Sequence, residues 1–162
     1  MGSPAASVYF GYDLGLLHDD DLPGWWFDGE SDRDGDWEFE LATRLGWTWR
    51  ERPDRRSGQS QSQYTDSPAY QRYQANLARR AAPLESLPVE LADYGFTESE
   101  PAWAVRATKS VRSVNDAYET LALEPLTIDP AWAQHLTTFI ELLELPHPAA
   151  GPRWYLNCAF HP

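Results

Sequence analysis

The sequence predicts an α+β fold in a single domain spanning residues 1–162, with a mostly antiparallel sheet and two or three helices packed on it. Three observations predict it. A chain of 162 residues that is 42 % hydrophobic and 14 % aromatic suits one folded domain. Strand-like alternation occurs at both ends of the chain and again in its second half. Helical periods with N-terminal signals fall between these stretches, in a mixed order rather than a strict β-α-β alternation.

Taken in order, Ser7 to Leu14 opens with Val8, Phe10 and Tyr12 alternating against Tyr9 and Gly11, the pattern of a half-buried strand. Gly15 to Asp34 reads as a long loop with a turn at Pro23-Gly24. From Asp36 to Gly46 two periods compete. Trp37, Leu41 and Leu45 fit one helix face, while Trp37, Phe39 and Leu41 against Glu38 and Glu40 fit a strand. Acids at the start, Arg44 near the end and Gly46 beyond it favour the helix.

The Gly/Ser/Gln-rich segment from Arg55 to Gln63 reads as a mobile surface loop, within a loop region near 53–66. Asp66-Ser67-Pro68 starts a helix, with Ser67 as N-cap and Pro68 at the first helical position, ending near Ala82-Pro83. Val89 to Phe96, a turn at Tyr94-Gly95, and the alternation of Trp103, Val105 and Ala107 predict a hairpin. Val111 to Leu123 stays ambiguous, with a turn at Asn115-Asp116. Asp129-Pro130 begins another helix, on which Trp132, Leu136, Phe139, Ile140 and Leu143 share a face before Pro146. Trp154, Leu156, Cys158 and Phe160 close the chain as a strand with one apolar face, and Cys158 is expected to be a buried small hydrophobe.

The net charge is −12, and it is segregated along the chain. Eleven carboxylates lie between Asp13 and Glu40 against Arg33 alone, followed by an arginine-rich centre. Such a balance opposes direct binding of nucleic acid, where cations must displace counterions from phosphates, and opposes anionic membranes. No apolar run of membrane-spanning length and no signal-peptide layout occurs, so a cytoplasmic location is expected. Cys158 is the only cysteine, which precludes an internal disulfide. Lysine occurs once, at Lys109, beside frequent arginine, the bias of a high-GC genome.

The acidic stretch supports two chemistries. Glu30 to Glu38 places oxygen-bearing side chains at alternate positions with Gly35 at the sixth, most of a calcium loop. That pattern breaks at its twelfth position, where Leu41 replaces the bidentate Glu. Alternatively, Asp28, Glu30, Asp32, Asp34, Asp36, Glu38 and Glu40, if extended, form a row of charge like a nucleic-acid backbone, with same-face carboxylates about 6.6 Å apart. Asp19, Asp20 and Asp21 would add steering, and Trp25, Trp26 and Phe27 would supply apolar anchors or cover the sheet. His18 beside Asp19, Asp20 and Asp21 could bind a metal with ligands brought from elsewhere in the fold, His135 reads as a boundary residue of its helix, His147 and His161 sit in Pro-flanked or terminal positions, and no phosphate loop, GxSxG or HExxH occurs.

Tyr94-Gly95, Pro101 to Val105, Asp129 to Trp132 and Arg153 to Leu156 together resemble the layout of small accessory proteins encoded by phages and prophages. That resemblance implies a role in conflict between phage and host, and no particular site. The expected function is an acidic, non-enzymatic inhibitor, of anti-defence or immunity type, that docks on a basic nucleic-acid-handling protein and needs no cofactor. A calcium- or metal-binding module, or a metal-dependent hydrolase using the same carboxylates, is the alternative. The oligomeric state is left open.

Overall fold

The computed structural model describes residues 4–27, 36–94, 102–114 and 120–160. The fold is α+β with an antiparallel sheet, and the chain divides into two compact units: Met1–Trp37 with Pro88–Pro162, and Glu38–Leu87. The turns expected at Tyr94-Gly95 and Asn115-Asp116 fall partly or wholly outside the described residues.

The first unit is built on β1, Pro4–Leu16, a strand of 13 residues. At Gly11 it pairs with both Arg106 and Arg153, so its two partners there lie on opposite edges. One edge is taken by β5, Arg153–Phe160, in register from Pro4↔Phe160 to Gly11↔Arg153. The other edge is shared by β3, Ala102–Ala107, and β4, Arg112–Val114. β2, Val89–Tyr94, pairs antiparallel with β3 as the predicted hairpin.

Between β3 and β4 a 3-10 turn, Thr108–Ser110, lifts the chain off the ladder. The buried Ser110 hydroxyl replaces the lost contact, accepting the Phe10 N–H at 2.9 Å and donating to the Ala107 carbonyl at 2.6 Å. A buried amide without that partner would cost about 1–3 kcal/mol.

Register fixes which residues share a face. Tyr12, Val105 and Leu91 stand side by side, flanked by Phe10 and Val89, and all are buried. On this face lies α5, Pro130–Leu143, which packs against β1, β2 and β3 through the buried Leu136, Phe139, Ile140 and Leu143. The expected start of α5 is observed. The Asp129 carboxylate accepts the Ala131 N–H at 2.9 Å, Pro130 takes the first turn, and the helix stops at Glu144 in the left-handed conformation.

The last strand corrects an expectation. Its Trp154 end is covered by Phe10 and Trp132 at ring separations of 5.7 and 6.1 Å. Leu156 is 70 % exposed and Cys158 is exposed, so Cys158 is not the buried residue expected. The cause is position: β5 is outermost, paired with β1 alone among the described strands.

In the second unit, the helix reading from Asp36 is the observed one: α1 spans Trp37–Arg44 and is followed by Gly46 at φ +95°. The mobile loop read near 53–66 is corrected in part. Gln61–Thr65 forms a short helix, α2, because Ser60 and Gln63 make a reciprocal capping box. The next helix, α3 (Pro68–Ala78), begins as expected but ends earlier than expected, and a separate α4, Ala81–Ser86, carries Pro83 in its first turn, where a missing N–H costs nothing. Phe39, Trp47, Trp49, Tyr73, Tyr70 and Tyr64 form an unbroken chain of ring contacts, 4.8 to 6.1 Å between successive centroids, which gives this unit its apolar spine. No helix among the described residues is long and apolar enough to cross a membrane.

Candidate functional site

Asp19, Asp20 and Asp21 form a single 3-10 turn directly after β1 and His18. The turn is closed by the Asp21 N–H on the His18 carbonyl at 2.8 Å and by the His18 N–H on the Asp21 carboxylate at 3.2 Å. All three aspartates are exposed, and none forms an ion pair among the described residues. A second 3-10 turn, Gly24–Phe27, holds the aromatic triplet.

The triplet divides in two. Trp25 donates its indole N–H to the Leu143 carbonyl at 2.8 Å, satisfying an orphan acceptor at the C-terminus of α5. Trp26 packs on Trp25 and edge-on to Trp103, with centroids 5.3 and 5.0 Å apart. Trp103 lies on the α5 face of the sheet, so these two tryptophans extend its cover. Phe27, by contrast, is 52 % exposed.

Asp28, Glu30, Asp32 and Asp34 lie outside the described residues, as does most of the calcium-loop pattern. Leu41, at the position where that pattern requires a bidentate carboxylate, is fully buried in α1. Among the described residues no group of three or more His, Cys, Asp or Glu side chains could hold a metal ion. Asp36 is half-buried just before α1.

Glu38 and Glu40 are helical, so the extended row of alternating carboxylates cannot continue through them. A helix turns residues two apart to nearly opposite sides. Each also meets an arginine of its own unit: Glu38 pairs with Arg80 and Glu40 with Arg44, both at 2.6 Å. Of the expected contact residues, the structure therefore leaves Asp19, Asp20, Asp21 and Phe27 outward, anchors Trp25 and Trp26, and pairs Glu38 and Glu40 internally.

A second constellation escaped sequence reading. On the sheet face opposite α5, Tyr9, Asp13, Tyr94, Tyr155, Glu90 and Arg106 form a polar layer. Tyr9 stacks on Tyr155 at 5.5 Å, and the Arg106 guanidinium lies 5.9 Å from the Tyr9 ring while donating to Glu90 at 2.7 Å. The Tyr94 hydroxyl reaches across β3 to donate to the Asp13 carboxylate, which also accepts the Gly15 N–H at 2.9 Å. Because two strand spacings separate β2 from β1, the Tyr94 ring crosses over the ladder where Ala104, 1 % exposed, sits beneath.

Burial first, then the Asp13 charge, push the Tyr9 phenol up to about 12, and burial with the Asp13 hydrogen bond raises Tyr94 as well. Phenols held protonated this firmly are weaker acids than an ordinary tyrosine, so both stay neutral hydrogen-bonding groups at neutral pH. Its only sequence signal was the other phase of the first strand, where Tyr9 and Asp13 alternate with the core residues. The partners on β2, β3 and β5 are recognisable only once the register is known. Comparison with protein-family models, with curated proteins and with solved structures finds no match to the chain.

Proposed function

We propose that this protein is a non-enzymatic acidic binding protein that docks on the basic surface of a nucleic-acid-handling protein, in the manner of an anti-defence or immunity inhibitor. One observation carries the reading: three consecutive exposed aspartates, without an ion pair among the described residues, precede an aromatic turn whose last side chain, Phe27, is 52 % exposed. Unpaired surface charge steers a cationic partner at long range, and an exposed aromatic anchors it at contact. Trp25 and Trp26 hold this segment against its own unit, so docking costs little ordering entropy. The sequence adds Asp28, Glu30, Asp32 and Asp34 to the same stretch. Glu38 and Glu40 are not part of the proposed face, being engaged by Arg80 and Arg44.

The test is capture of host proteins on immobilised wild type and on an Asp19→Lys, Asp20→Lys, Asp21→Lys, Phe27→Ala variant. A specific partner should be retained by the wild type, displaced by duplex DNA and by about 0.5 M salt, which roughly halves the screening length from its physiological value. It should be lost from the variant while near-ultraviolet circular dichroism stays native. Equal retention by the variant, or retention indifferent to DNA, sinks the reading.

A further inference from the structure

We infer that the outer edge of β5 pairs antiparallel with the β5 edge of a second copy of this chain, centred on Leu156. β5 is an eight-residue strand bonded along one side to β1, and no described strand occupies its other side. An edge of that length presents unpaired N–H and C=O groups, and proteins that avoid pairing there use charges, prolines or bulges. The opposite edge of the sheet follows that rule, since β2 carries Glu90 and Asp93 within six residues. β5 does not: Trp154 to Phe160 contains no charge, no proline and no glycine, and its register with β1 is unbroken.

Charge selects a second copy as the occupant. A chain of net charge −12 repels itself over most of its surface. From Leu145 to Pro162 there is no Asp or Glu, so self-contact costs least there. A two-fold axis through Leu156 sets the side chain that is 70 % exposed against its own counterpart, and places Trp154 opposite Cys158 in one apolar row. The two Arg153 side chains then stand six positions apart along the strands, roughly 20 Å, beyond strong repulsion.

Sedimentation velocity across a micromolar concentration range should show a monomer–dimer equilibrium that strengthens with salt, as mutual repulsion is screened. Leu156→Arg, at an exposed position, should keep native near-ultraviolet circular dichroism and weaken dimerisation at least about tenfold. Ile128→Arg, at a residue 52 % exposed elsewhere, should leave it unchanged. Spin labels on Cys158, the sole and exposed thiol, should report a short separation in the dimer. Four residue rises and one strand spacing put the two Cα atoms roughly 14 Å apart. A monomer at every concentration, a dimer indifferent to Leu156→Arg, or label separations beyond about 40 Å would overturn the pairing.

Discussion

A Cβ placed on Gly11 would overlap the Val105 carbonyl oxygen and stand 2.9 Å from the Arg106 Cα, so only glycine lets β1 and β3 meet at this register. Both neighbours are backbone atoms of the central ladder and cannot swing aside. Gly11→Ala is therefore expected to cost ~2–3 kcal/mol, the scale of overpacking in a well-packed interior. Urea denaturation checks it, with Gly24→Ala as the control, since that position has open space around a Cβ and no positive φ. Equal midpoints for the two variants would mean that the ladder shifts freely at Gly11. Other single residues matter through where register puts them. Ser110 is a polar residue in the core because its hydroxyl completes the ladder where the chain steps away from it. Leu156 is an apolar residue left outside because α5 meets its strand through Trp132 at Trp154, two residues away.

Elements with strong local signals formed where the residues put them. α5 carries four fully or nearly fully buried side chains on one face, and its N-terminus depends on a single carboxylate. Removing that cap in Asp129→Ala should lower global stability by ~1 kcal/mol without changing the denaturant slope, while Asp129→Asn should stay near wild type. An unchanged midpoint in the alanine variant would show that the cap satisfies no donor that water does not. The same kind of signal, Ser67-Pro68, marked the start of α3, and the 2.0 period over Trp103 to Ala107 marked the β2–β3 hairpin. What stayed illegible lay between such signals. The capping box at Ser60 and Gln63 was hidden inside polar low-complexity sequence, and Pro83 reads as a stop unless the preceding helix is known to have ended already. Of the candidate site, the exposure of Asp19 to Asp21 was legible, because three consecutive acids have little alternative to water. Partners far apart in sequence were not legible: Arg80 for Glu38, Leu143 for Trp25 and Asp13 for Tyr94.

For the whole molecule, the polar layer and the net charge make stability depend on alkaline pH in the same direction. Tyr9 and Tyr94 have folded-state pKa values raised above the usual 10, so the folded state holds protons that the unfolded chain releases. Their contribution is complete below pH 10 and is lost as pH rises toward 12 and beyond, when unfolding frees each phenol to ionise. Meanwhile the net charge, already −12 at neutral pH, grows more negative in alkali and adds repulsion. The urea midpoint should therefore fall steeply above pH 10, and an absorbance titration of tyrosinate should show a late phase that coincides with loss of near-ultraviolet circular dichroism. Tyr94→Phe separates the two causes. It keeps the ring over Ala104 but removes one raised phenol, so the variant should lose less stability than wild type between pH 10 and 12 while tracking the same fall from net repulsion in low salt. If instead the variant and wild type decline in parallel at high salt, where repulsion is screened, the phenols of the sheet face are not what ties the fold to pH.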